Sequence, residues 1–108
     1  MTRGAIVVMA TKGAYTSKPR PAVVVQADLF NSTHSSTTVC LITSDWMDAS
    51  LVRVSLPPGE RTGLLSASQV MVDKIVSIPN PAIVRQIGHC DESELDAIDA
   101  ALRRWLSL

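Results

Sequence analysis

Apolar positions along the chain fall into short runs separated by polar stretches, and the chain ends on one long amphipathic segment. Ala5 to Met9 is an unbroken Ile/Val-rich run after Arg3-Gly4, the pattern of a strand buried on both faces. Ala10 to Pro19 is small and polar and predicts a loop. Pro19 and Pro21 flank Arg20; each fixes its own φ and pushes the residue before it toward extended geometry. Arg20 therefore sits on stiff, extended chain, and Ala22 to Gln26 continues as a strand. Asp28 to Asn31 predicts a helical turn, and Ser32 to Thr37, with His34, a surface loop. Thr38 to Thr43 reads as a buried strand, followed by a loop over Ser44 to Ser50 that carries Trp46. Leu51 to Leu56 alternates, with Val52, Val54 and Leu56 opposite Arg53 and Ser55, as in a half-exposed strand.

Pro57-Pro58-Gly59 breaks the chain, and a loop runs through Gly63. Ser68 to Ile75 alternates again, with Gln69, Met71 and Asp73 facing one way and Val70, Val72 and Lys74 the other; Ile75 to Ile78 can extend it. On a regular strand Lys74 points away from Asp73. Pro79-Asn80-Pro81 is a second break, and Pro81 to Ile87 fits either a helical turn or an edge strand. Asp91 and Glu94 have the spacing of a capping box. Leu95, Ile98, Leu102, Trp105 and Leu106 then recur at helical spacing, which predicts an amphipathic helix with Trp105 in its buried stripe. Acids in the first turn and Arg103-Arg104 in the last suit the helix dipole, and Asp99 with Arg103 forms an i,i+4 pair. Five or six short strands closed by one helix predict a mainly β (α+β) fold, a small, partly open antiparallel barrel.

Composition narrows the function classes. At 108 residues the chain predicts one domain over 1–108, with a core of modest size. Apolar residues make up 46% of the chain, too many for extended disorder. No apolar run reaches the roughly 20 residues of a membrane helix, and the N-terminus has no signal pattern. Ten Lys+Arg balance ten Asp+Glu, which excludes a globally basic nucleic-acid binder but not a local basic patch. Cys40 and Cys90 make neither a disulfide framework nor a zinc signature, so neither is expected, and the plain reading is a soluble cytoplasmic domain.

Several blocks stand together in order: Arg3-Gly4 before the first strand; Arg20-Pro21 followed by Val23-Val24-Val25-Gln26; Asp28 to Asn31; Thr43-Ser44; and Ser68 to Lys74. Thr43 lies 23 residues after Arg20. With Ile87-Gly88 and the closing helix, these blocks resemble the MazF/PemK family of bacterial toxins over nearly the whole chain. Two departures stand out: Ala5 replaces the acid of the family's Arg-Gly-Asp start, and the first loop is shorter.

The resemblance implies an SH3-like barrel of the CcdB–MazF type that forms a homodimer. It implies a metal-independent endoribonuclease acting on single-stranded RNA, in which a 2′-hydroxyl attacks the neighbouring phosphate. It also implies a cognate antitoxin as partner. Such chemistry needs a fixed cation for the charge developing on phosphate, a hydroxyl donor and an acid/base group. Arg20, Thr43 and Asp73 match the family positions for these tasks. RNA contacts are expected from Lys12, Tyr15, Lys18, Ser44, Trp46 and Lys74, with Arg53 and Arg61 able to add to a basic groove. His34 has no adjacent partner in sequence, and His89 reads as structural. The alternatives are a CcdB-like gyrase poison acting through Trp105 to Leu108, and a non-catalytic module that only binds an antitoxin.

Overall fold

The computed structural model describes residues 1–10 and 19–108. The elements are β1 (Ala5–Met9), β2 (Arg20–Val24), α1 (Asp28–Asn31), β3 (Ser36–Thr43), β4 (Arg53–Leu56), β5 (Ser68–Pro79), a 3-10 turn (Asn80–Ala82), β6 (Ile83–His89) and α2 (Glu92–Leu106). The six strands form one antiparallel sheet in the order β4-β5-β3-β2-β1-β6. The ambiguous stretch after Pro81 is thus an edge strand, paired along β1. β2 begins at Arg20, two residues earlier than the sequence pattern predicts, because Arg20 and Pro21 already pair with Met9 and Val8.

Alternation along the strands splits the core into two layers. Ile6, Val23, Cys40, Leu56, Val70 and Val72 face α2 and bury Ile98 and Ala101 against the sheet. Ala5, Val7, Met9, Ala22, Val24, Val39 and Ile78 pack on the other face. Gly4 lets α2 approach: it holds φ +94°, and a Cβ there would stand 2.9 Å from Leu95 Cδ1.

The regular alternation expected over Ser68 to Ile75 does not hold. The β3–β5 register steps from Leu41↔Met71 to Cys40↔Ile75, so Val72, Asp73 and Lys74 bulge out of the ladder. Val72 stays buried, its N–H donating to Val52 O, while Asp73 and Lys74 are both exposed. A bulge of this kind bends a strand and re-aims its side chains. The 12-residue strand pairs with β4 at its start and with β3 on both sides of the bulge.

The barrel does not close, because β4 and β6 are both edges. The β4–β5 loop spans the gap between them: His89 N donates to Arg61 O, and Gly63 packs against Ile87.

Helix α2 is capped as its sequence predicts, with Glu94 N donating to Asp91 Oδ1 and Asp91 N donating to Glu94 Oε1. Two expectations for this helix are corrected. Asp99 pairs with Arg3 at 2.6 Å, not with Arg103, because folding brings the start of β1 beside the helix. Trp105 is 50% exposed rather than core, since the helix turns only Ile98 and Ala101 fully into the core.

Candidate functional site

β2 and β3 pair with Ala22 opposite Leu41, and continuing that register by two positions brings Arg20 level with Thr43. Thr43 in turn faces Gln69 on β5, and Arg20 faces Met9 on β1. Arg20 and Thr43, far apart in sequence, are therefore neighbours in one row across the sheet.

This row opens into a groove of about 840 Å³. Pro19, Arg20 and Pro21 line it from β2, Thr43, Ser44 and Asp45 from the end of β3, and Leu64 to Ser66 from the β4–β5 loop. β6 adds Arg85 and Gln86. Arg20 is exposed at the start of its strand, and the two prolines stiffen the backbone that carries it. Thr43 Oγ1 accepts from Asp45 N at 3.0 Å, which fixes the turn and leaves the hydroxyl proton without an acceptor among the described residues. Among the described residues, the groove lining includes two arginines, Arg20 and Arg85, and one acid, Asp45. It is thus locally cationic on a chain of zero net charge.

Among the expected site residues, Arg20, Thr43 and Ser44 come together at this groove. Asp73 and Lys74 stand on the β5 bulge and do not line it. Trp46 follows Asp45 and is 62% exposed. Lys12, Tyr15 and Lys18 lie outside the described residues. Arg61 is not available to a basic groove: its guanidinium donates to both carboxylate oxygens of Glu94, at 2.7 and 3.0 Å, and to His89 O. Arg53 is also engaged, donating to Asp45 O and Gln69 Oε1. Met47 is exposed and outside both core layers. The backbone carbonyl of His34 accepts from Asn80, and its ring meets Phe30 edge to face.

Arg85 and Gln86 escaped the sequence reading. Their segment was ambiguous between helix and strand, and only the pairing Val8↔Arg85 brings Arg85 beside β2 through β1. Gln69 was placed on a strand face but not in any site. The structure buries it to 4% exposure beside Thr43. Among the described residues, no three His, Cys, Asp or Glu side chains cluster as a metal site would require. Both cysteines are free and buried, and burial pushes each thiol up to about 12.

The chain is similar to known proteins along most of its length. The chain is 39% identical over 108 residues to a probable endoribonuclease MazF of Mycolicibacterium smegmatis, covering 100% of this chain and 98% of that protein. It is 30% identical over 97 residues to endoribonuclease MazF6 of Mycobacterium tuberculosis, covering 89% and 85% of the two chains. Its fold matches the Mycobacterium tuberculosis toxin MazF-mt6 with a TM-score of 0.82 at 23% identity, covering 96% of this chain and 97% of that one. It also matches a MazE–MazF structure from Deinococcus radiodurans with a TM-score of 0.84 at 19% identity, covering 100% and 97%. A family profile described as PemK-like, MazF-like toxin of type II toxin–antitoxin system spans residues 2–106. With that span, and with 39% identity along the whole chain to a probable endoribonuclease MazF, the chain belongs to the PemK-like, MazF-like toxins of type II toxin–antitoxin systems.

Proposed function

We propose that this toxin is a sequence-specific endoribonuclease that cuts single-stranded RNA, messenger RNA foremost, without a metal ion. The observation that carries the reading is that Arg20 and Thr43, from the ends of adjacent strands, line one groove. The names of its curated relatives as endoribonucleases support it.

In this reading the 2′-oxygen beside the scissile phosphate loses its proton and attacks phosphorus. The bond to the 5′-oxygen breaks, and that oxygen takes up a proton. The products carry a 2′,3′-cyclic phosphate and a 5′-hydroxyl. Arg20 stabilises the charge that develops on the phosphoryl oxygens, since a guanidinium stays charged and can donate two bonds to them. Thr43 donates its free hydroxyl proton to the same group. Asp73, exposed on the β5 bulge and outside the groove lining, is assigned an acid/base step from its match to the family position. Ser44, Trp46 and Lys74, together with Lys12, Tyr15 and Lys18, are assigned to RNA contact.

The functional unit is a homodimer with the groove near its two-fold axis, because one small monomer offers little surface for several nucleotides. It acts in the bacterial cytoplasm and is held silent by a cognate antitoxin. Related toxins solved as MazE–MazF structures support the last point. No helix among the described residues is long and apolar enough to cross a membrane.

The test is incubation of the purified protein and its Arg20→Ala variant with a long single-stranded RNA in EDTA, with end-group analysis. Discrete cuts bearing cyclic phosphate and 5′-hydroxyl ends, absent with the variant, are expected. Intact RNA from a folded, growth-arresting protein would sink the reading. One observation favours a second reading, a gyrase poison: Trp105 is half-exposed and so available to a partner. That reading requires Trp105→Ala to abolish toxicity and Arg20→Ala to preserve it.

A further inference from the structure

Gln69 is the most deeply buried carboxamide beside the groove, and all its bonds go to one loop or its support. Its Nε2 donates to Met47 O at 2.9 Å, and its Oε1 accepts from Met47 N at 3.0 Å. Arg53 Nη1 donates to the same Oε1 at 2.9 Å and to Asp45 O at 2.8 Å. A buried carboxamide is costly unless its hydrogen bonds are made, so this geometry is held tightly. The segment it grips lacks regular secondary structure. Between the two gripped residues sits Trp46, 62% exposed although its backbone is fixed on both sides.

A large exposed indole gains nothing from water. With the main chain on either side of it fixed, next to Asp45 of the groove lining, it can serve as a stacking platform for an unpaired base. We propose that Gln69 and Arg53 are positioning residues for RNA recognition, locking the Asp45–Met47 main chain so that Trp46 stacks on one nucleobase flanking the scissile phosphate. The inference rests on the endoribonuclease reading and adds to it the elements that set a base preference beside the cut.

The probe is a short fluorogenic RNA spanning one mapped cut, with a series in which each flanking nucleotide in turn is abasic. Trp105→Phe supplies a background in which Trp46 is the sole indole. In that background one abasic position lowers kcat/KM, and Trp46→Ala shrinks that penalty at least about fivefold, in line with measured base–aromatic stacking. Gln69→Met and Arg53→Ala shrink the penalty at the same position and lower the fluorescence anisotropy of Trp46. A role in fold stability alone changes neither quantity position by position. The inference is overturned if a folded Gln69→Met retains both the full penalty and the anisotropy. It is also overturned if Trp46→Ala leaves every penalty intact. Should Gln69→Met not fold, Arg53→Ala, at a half-buried site, decides by the same two readouts. Parent protein that cuts no RNA overturns the endoribonuclease reading as well, an outcome distinct from cutting with an unlocked loop.

Discussion

Arg61 and Glu94 form a two-pronged ion pair that ties the β4–β5 loop to the first turn of α2. The same guanidinium donates to His89 O and lies 3.6 Å from Asp91. One side chain thus joins the loop that bridges the sheet's open edges, the end of β6 and the cap of the helix. We expect Arg61→Ala and Glu94→Ala each to lower Tm. Their double-mutant cycle should show positive coupling that shrinks in high salt. Full additivity would count against the clasp.

The cap makes acid stability depend on Asp91. The backbone N–H of Glu94, then the Ser93 hydroxyl, hold its carboxyl below its ordinary value of 3.8. A depressed carboxyl binds fewer protons folded than unfolded, so the stability it adds is fully present above that value. It is lost as pH falls through the lower, folded value. Asp91→Asn should therefore flatten the slope of Tm against pH below about 4 and leave its shape at neutral pH unchanged.

Thiol reactivity follows from burial. With both thiols pushed up to about 12, Cys40 and Cys90 should ignore a disulfide reagent at pH 8 in the native state. Both should react in denaturant. A fast native phase of one thiol would mean that a core layer opens.

Gly63 tests how the groove wall is built. Its φ of +72° is left-handed, and a Cβ there would meet Ile87 O at 2.1 Å. Gly63→Ala should cost about 1–3 kcal/mol, read by chemical denaturation. It should also impair RNA cleavage beyond the stability loss, because the loop residues beside it line the groove.

Kinetics should separate the proposed chemical roles. Arg20→Ala and Thr43→Val are each expected to lower kcat about 100-fold or more with the fold intact. Arg20→Lys should recover little, since an ammonium does not reproduce two aligned donors. Asp73→Asn should lower kcat about 100- to 10,000-fold and remove one limb of the pH–rate profile if its carboxyl moves a proton. A change within threefold would leave Asp73 a structural residue of the bulge.

Local patterns in the sequence determined a good deal of this protein. The buried run of β1, the alternation of β4 and the spacing of α2 with its capping box all appear in the structure. These depend on neighbours a few residues apart, which is why a linear reading reaches them. The blocks around Arg20, Thr43 and Ser68 to Lys74 likewise sufficed to identify the family. What only the tertiary structure decided depends on strand pairing across long separations. Register set Arg20 beside Thr43, Arg85 at the groove and Gln69 beneath the Trp46 loop. The bulge broke the alternation expected from Ser68 to Ile75 and left both Asp73 and Lys74 exposed, because alternation holds only while each residue has one partner across the ladder. Asp99 found Arg3 instead of Arg103, and Arg61 found Glu94 instead of an open groove. A charged side chain in a folded chain pairs with whatever opposite charge the backbone brings within reach, and that is fixed by topology rather than by spacing along the chain.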